Sequence, residues 1–429
     1  MPVITTRGIA LFFASVFLVI VGLAGIGWPV TLVVGSSLLV FMYMAYILAR
    51  GYEDVVDSLV VERFLSKQNV VEGEEVDVIL KISDILGYGV PRLDVVDHAP
   101  RRVRIIGRNY GSLYIERRGT ATLSYRVKPC FGTISFNEVE LVARDLFGLF
   151  GYKKIVNVPG VLRVTPSYTS VKELVVKSTY YTFGVSPSRR KGVGYEFFEL
   201  RDYQPGDDFR KIVWSAVART GKLIVREDEA EVQLKTMLFL DLSQDTWVGI
   251  ECCMGADYVV KTALAITDLM AKRGDVVGYT LFLGDKWITR PPARAPEALE
   301  KLLIDSSIVS MEETSGRDNL ARALYDTVGY LDNGLLVVIS SWGFYRRSVV
   351  DILVDVLSKT GCRAVVLTIM PVLEGIKVLE GLWSIEKIYY RMVGEKLLSI
   401  GVPLFIARNW SQVAGFLRFL EEVRTSSGL

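Results

Sequence analysis

L-K-T-M-L-F-L-D-L-S, residues 234–243, is an apolar run too short for a typical helix and too continuous for a strand with one wet face. Strands of this kind are buried on both sides, which requires helices above and below a mostly parallel sheet. The pattern recurs downstream in V-V-G-Y-T-L-F-L (276–283), L-L-V-V-I-S-S (335–341), R-A-V-V-L-T-I-M (363–370) and a shorter strand at 402–407. Between these runs lie helical stretches near 253–273, 295–304, 318–330, 345–360 and 409–424. Residues 233–429 therefore read as one doubly wound α/β domain. In such sheets a site forms at the carboxyl ends of the strands, which places Asp241, Ser243, Asp245, Ser340 and Ser341 on one rim.

Immediately upstream, Arg189–Glu229 reads R-R-K-G-V-G-Y-E-F-F-E-L-R-D-Y-Q-P-G-D-D-F-R-K-I-V-W-S-A-V-A-R-T-G-K-L-I-V-R-E-D-E. Charges of both signs alternate with Tyr195, Phe197, Phe198, Tyr203, Phe209 and Trp214. A merely solvated run would not need so many rings, so the expectation is that the aromatics anchor the stretch and the charges pair. Tyr203-Gln204-Pro205-Gly206-Asp207-Asp208 is a turn, because Pro presets φ and Gly frees the next position. Asp207 or Asp208 then caps a short helix over about 208–219, which ends at Arg219-Thr220-Gly221. Lys222–Arg226 comes next, as a strand. Residues 166–232 are read as a connector that contains this signature.

Residues 8–49 contain no charged side chain. That length accommodates two helices of about 20 residues, each matched to a hydrocarbon core of about 30 Å. Gly27-Trp28-Pro29 breaks the run, so the reading is a transmembrane hairpin within residues 1–52, with spans near 8–27 and 30–49. Arg7 and Arg50 flank it and, by the positive-inside rule, put both ends in the cytoplasm. Residues 53–165 alternate apolar and polar positions in V-D-V-I-L-K-I-S (76–83) and T-L-S-Y-R-V-K-P (122–129), with glycine punctuation between strands. An antiparallel β-sandwich of immunoglobulin type is expected, closed by Asp145-Leu146-Phe147-Gly148-Leu149-Phe150.

Composition bounds the chemistry. Among 429 residues the net charge is +2, so the chain carries no overall attraction to nucleic acid. Four cysteines show neither C-x-x-C nor zinc spacing and are read as reduced. The single histidine, His98, argues against a Ser-His-Asp mechanism and against a histidine-rich metal site.

The segment G-V-G-Y-E-F-F-E-L-R-D-Y-Q-P-G-D-D-F-R-K-I-V-W-S-A-V-A-R-T-G-K-L-I-V-R-E (192–227) resembles the signature of the domain-of-unknown-function 58 family. The surrounding order fits as well: a membrane hairpin, a β-domain ending in D-x-F-G-L-F, the signature, then an α/β domain. The resemblance implies a membrane-associated protein with a von Willebrand factor type A-like C-terminal domain, associated with a MoxR-type AAA+ ATPase, and no established reaction.

Type A domains often hold Mg²⁺ on Asp-x-Ser-x-Ser, a Thr from a later loop and an Asp after the fourth strand. Here Asp241-Leu242-Ser243-Gln244-Asp245 resembles the first part, with Asp245 in place of a Ser. Ser315-Gly316-Arg317-Asp318 resembles the Thr loop, with Asp318 at the Thr position. Ser340-Ser341 falls where the last Asp would be. Hard oxygen ligands suit Mg²⁺, so an altered site on Asp241, Ser243, Asp245 and Asp318 is one reading. Simple capping of strand ends by the same polar groups is the other.

Three functions remain open for the signature. The first is an interaction clasp built from Glu196, Arg201, Tyr203, Pro205, Gly206, Asp207, Asp208, Arg210, Trp214, Arg219 and Lys222. On this reading the protein is a membrane-anchored assembly module or adaptor for the ATPase, with no catalytic residue. The second is a hydrolase using the Asp207/Asp208 carboxylates as acid and base. The third is a surface for anionic lipid or nucleic acid at Arg189-Arg190-Lys191.

Overall fold

The computed structural model describes residues 3–25, 29–145, 147–167, 191–229, 235–331, 334–341, 347–370, 391–408 and 410–426. It divides into two units, Met1–Thr165 and Pro166–Leu429.

The first unit begins with a two-residue strand, β1 (Val3–Ile4), and helix α1 (Thr6–Leu23), whose first turn is capped by Thr5 Oγ1 accepting from the Gly8 N–H at 3.2 Å. Helix α2 starts at Pro29, where the missing N–H costs nothing, and runs unbroken to Ser58. Both helices are long and apolar enough to cross a membrane. They leave Phe13, Phe17, Leu23, Tyr43 and Leu48 exposed, a pattern for which lipid is the matching solvent. Gly22 and Gly35 let the helices meet: a Cβ on Gly35 would lie 2.8 Å from the Val19 nitrogen. The second helix continues past Ala49. Val55 and Val56 turn inward and join Leu59 in the sandwich core, while Glu53 stays half-buried and Asp54 and Asp57 are exposed.

Two sheets face each other over that core. One has the order β2 (Leu59–Leu65), β4 (Val76–Asp84), β8 (Thr120–Pro129), β6 (Val103–Ile106), all antiparallel. The other runs β1, β10 (Phe150–Thr165), β9 (Gly132–Arg144), β5 (Val90–Asp97), β7 (Tyr110–Ile115), with β3 (Asn69–Val71) parallel to β10. Strand β4 shows why the alternation read from sequence holds: Val76, Val78, Leu80 and Ile82 are fully buried and the residues between them are not. The core also contains an ion pair. Arg63 Nη2 donates to Asp97 Oδ1 at 2.6 Å, both side chains are wholly buried, and the Tyr125 hydroxyl donates to Asp97 Oδ2 at 2.8 Å. Burial and the Asp97 charge push the Tyr125 phenol well above its ordinary range.

The D-x-F-G-L-F element is the turn between β9 and β10. Buried Asp145 accepts the Leu149 N–H at 2.7 Å, and Gly148 takes a positive φ of 66°. Thr5 donates its hydroxyl to the Gly148 carbonyl at 2.6 Å. Leu149 and Phe150 pack against Met42, Ala45 and Ala49 of α2, and Phe147 meets Phe41 edge-on at 5.0 Å. The turn therefore fastens the sandwich to the helical hairpin.

The second unit opens with a two-stranded ribbon, β11 (Lys191–Asp202) against β12 (Ile224–Glu229). Its main sheet has the order β15 (Trp287–Arg294), β14 (Val276–Phe282), β13 (Lys235–Asp241), β16 (Leu335–Ser341), β17 (Arg363–Ile369), β18 (Leu404–Ala407). Every neighbour pairs in parallel except β14 with β15. Strand β15 is not among the strands that the sequence pattern predicts. Its Pro291-Pro292 argues against a strand unless it lies at an edge, and β15 is an edge strand whose register shifts between Val277 and Tyr279 of β14. One face of the sheet packs Met237, Phe239, Phe282, Val338 and Val366 against helices Leu320–Val328 and Arg347–Thr360. The reading of all four cysteines as reduced does not hold throughout, since Cys130 and Cys252 are disulfide-bonded.

Candidate functional site

Two places carry the polar residues singled out from the sequence. The first is the ribbon and the segment that joins its strands. Arg201, near the end of β11, reaches across the turn to Asp207 in a two-pronged pair, with Nη1–Oδ2 at 2.7 Å and Nη2–Oδ1 at 2.8 Å. Asp207 Oδ2 also accepts the Gln204 N–H at 2.8 Å. Gly206 takes φ 110°, a conformation that L residues avoid, and Pro205 precedes it, so the turn forms as the sequence predicts. The Arg201 guanidinium holds the Asp207 carboxyl down at about 2.

Asp208 caps the next segment, but the helix it starts is shorter than expected. Its Oδ1 accepts the Arg210 N–H at 2.9 Å and begins a single 3-10 turn, Phe209–Lys211. Ile212 then bridges to Val225, and the α-helix proper, α3 (Trp214–Thr220), begins only at Trp214. Gly221 closes it at φ 68°. The chain breaks between the two turns at Ile212, which is buried, as is its bridge partner Val225.

The aromatics do not all anchor the stretch. Tyr203 stacks on Phe209 at 5.6 Å, but Phe209 is 66% exposed and Trp214 is 65% exposed. Arg210, Arg219 and Lys222 are exposed around them. The segment thus pairs Asp207 with Arg201 and presents rings and positive charge beside the exposed acids Asp202 and Asp208. Glu196 lies within β11. Of the basic cluster, Arg189 and Arg190 lie outside the described residues and Lys191 begins β11. Asp207 is committed to its ion pair with Arg201 and Asp208 to its cap on the Arg210 N–H, so neither carboxylate stands free for acid–base work in this arrangement.

The second place is the rim where β13 and β16 end. The connections from these neighbouring strands leave in opposite directions, the position at which open α/β sheets generally bind ligands. Asp241 is buried there. Its Oδ1 accepts from Ser243 Oγ at 2.6 Å and from the Ser243 N–H at 3.2 Å. Its Oδ2 accepts from Ser340 Oγ at 2.7 Å and from Arg317 Nε and Nη2 at 3.0 and 2.9 Å. Arg317 Nη1 donates to Asp245 Oδ2 at 2.5 Å. Ser341 turns away, donating to the Ile369 carbonyl at 2.7 Å.

Arg317 is held from behind. Its loop is tied to the end of β14 by the Ser315 N–H on the Leu283 carbonyl at 2.9 Å, and the Ser315 carbonyl accepts the Gln244 N–H at 2.9 Å. Gly284, at φ 107°, permits the approach: a Cβ there would lie 2.2 Å from the Gly316 carbonyl oxygen.

These residues do not fit Mg²⁺ as the sequence suggested. Both oxygens of Asp241 are engaged by protein donors, and a guanidinium lies between the two acids. A divalent ion about 4 Å from that charge would be repelled by roughly 8 kcal/mol at an effective dielectric near 20. Asp318, the fourth expected ligand, is exposed and makes no hydrogen bond or ion pair with the other three among the described residues. No cluster of three or more His, Cys, Asp or Glu suited to a metal occurs among the described residues.

Residues 199–370 match the family described as "Protein of unknown function DUF58". The matched region starts inside β11 and ends just after β17, so it takes in both the braced turn and the Asp241 rim. Curated relatives are uncharacterized proteins of Mycobacterium tuberculosis and Mycobacterium bovis, 35% identical over 134 residues, or 31% of this chain. The chain spans 42% of the length of these relatives. Among solved structures, similarity is found to the CARDB domain of a Pyrococcus furiosus protein in complex with di-metal ions, at 17% identity over 23% of this chain and 91% of that one, with a TM-score of 0.16. The sporulation control protein Spo0M of Bacillus subtilis gives 13% identity over 29% of this chain and 55% of that one, with the same TM-score of 0.16.

Sequence reasoning thus found Asp241, Ser243, Asp245 and Ser340, which the structure brings together. It missed Arg317, one residue before the expected ligand. The available signal was charge: an arginine in a loop opposite two rim acids is their natural partner.

Proposed function

We propose that this chain is a membrane-anchored protein-interaction module that serves as an adaptor or assembly factor for a MoxR-type AAA+ ATPase, with its main body in the cytoplasm. The observation that carries the reading is the exposed pair Phe209 and Trp214, flanked by Arg210, Arg219 and Lys222, on a turn braced by Arg201 and Asp207. Aromatic and arginine side chains on a rigid support dominate binding energy at protein interfaces. A partner surface with an apolar recess and an acidic border matches that chemistry. The anchor is the pair of apolar helices, and Arg7 and Arg50, which flank the uncharged run of residues 8–49, support that orientation.

The type A-like assignment of the second unit is supported by its strand order, with β15 alone antiparallel at the edge. The immunoglobulin-type assignment of the sandwich is supported by the order β2-β4-β8-β6 facing β10-β9-β5, with β3 parallel to β10.

The test is a binding titration of the full chain in nanodiscs against a purified MoxR-type AAA+ ATPase from the same organism. Trp214→Ala and Arg219→Ala should each weaken binding by about tenfold or more, equivalent to about 1.4 kcal/mol, with unchanged thermal unfolding. Wild-type affinity in both variants would sink the proposal.

A further inference from the structure

The rim at the ends of β13 and β16 has the oxygen donors of a cation site and a protein cation already in place. We propose that Arg317 is the permanent occupant of a latent divalent-cation site, so that the Asp241 rim is metal-independent in the native protein and binds a divalent ion only when the guanidinium is removed.

The geometry carries this in three ways. First, the guanidinium binds the two acids on different edges: Nε and Nη2 meet Asp241 Oδ2, and Nη1 meets Asp245 Oδ2. It thus takes the central position that a bridging metal would occupy. Second, burial is graded. The Arg317 and Asp241 side chains are 4% and 6% exposed, while Asp245 is 37% exposed. A buried carboxylate is costly unless its charge is matched, and at Asp241 the arginine supplies that match without dependence on solution. Third, the remaining donors are oxygens of the hard type that Mg²⁺ and Mn²⁺ prefer. Ser243 Oγ and Ser340 Oγ both lie within hydrogen-bond distance of Asp241. Replacing Arg317 by a small residue leaves two carboxylates and two hydroxyls around the space it filled.

The lysine variant separates charge from shape. Lysine keeps the positive charge as a point ammonium but loses the fork that spans both acids, so Arg317→Lys should still exclude a divalent ion.

The experiment is a Mn²⁺ titration of the full chain in detergent, read by electron paramagnetic resonance of free Mn²⁺ and repeated with Mg²⁺ by calorimetry. The wild type and Arg317→Lys should show no site that depends on Asp241. Arg317→Ala should gain one Mn²⁺ site at least tenfold tighter than any in the wild type, and Asp241→Asn in that background should abolish it. Wild-type binding of Mn²⁺ or Mg²⁺ that Asp241→Asn removes overturns the proposal, and this arm holds whether or not Arg317→Ala folds. A folded Arg317→Ala that gains no site overturns it equally.

Discussion

Asp207 and Asp97 show how differently one residue type behaves when its partner arginine sits at a surface turn or in a core. Asp207 titrates at about 2 in the folded chain, below the ordinary aspartate value. Because the folded value is the lower one, the pair stabilises the protein above the ordinary value, near pH 4. That stabilisation is lost as pH falls through about 2. Carboxyl ¹³C NMR should therefore find the Asp207 midpoint near 2 in the wild type and shifted upward, toward the ordinary aspartate value, in Arg201→Gln, where the Gln204 N–H still holds it. The stability gap between the two proteins in urea should close between pH 4 and 2. A gap unchanged over that window would refute the pairing. Asp97 is different because its pair with Arg63 is wholly buried. Arg63→Met leaves Asp97 with only the Tyr125 hydroxyl, and the expected loss is about 3–5 kcal/mol in chemical denaturation. A loss under about 1 kcal/mol would mean that the charge finds water.

At the scale of elements, loop placement determines what the rim can bind. The strands were legible because continuous burial leaves a continuous apolar run, as in β13 and β16. The carboxyl-end position of Asp241 and Ser340 followed from that. Three features were not legible. Strand β15 hides behind its prolines. The break at Ile212 depends on Val225, thirteen positions on, which no local pattern reveals. Arg317 enters the site rather than Asp318 because Gly284 lets two loops touch. Gly284→Ala should thus destabilise the chain more than Gly274→Ala. Both have positive φ, but a Cβ at Gly274 meets nothing within 4 Å. Strain alone accounts for about 1–3 kcal/mol, and only Gly284→Ala adds a clash. Equal melting temperatures for the two variants would contradict this account of the loop.

At the scale of the molecule, the boundary between anchor and body is not where charge first appears. Arg50 and Gly51 suggest an end to the apolar run, yet α2 continues to Ser58 and contributes Val55 and Val56 to the sandwich core. A chain beginning at residue 59 lacks both. Each fully buried valine is worth about 1.5–3 kcal/mol, so it should be several kcal/mol less stable in urea than a chain beginning at residue 51. Equal stability would show that these valines are dispensable.

The continuity of α2 also has a mechanical meaning. Thirty residues of helix form a rod about 45 Å long. One end lies among the apolar residues paired with α1, and the other is embedded in the sandwich. The Asp145 turn grips the rod a second time, at Met42, Ala45 and Ala49. Two grips along one shaft remove the swivel that a flexible tether would allow. A change in tilt of the hairpin, as in a thinner bilayer, would therefore be delivered to the sandwich as a rotation of the whole sandwich, with no slack to absorb it.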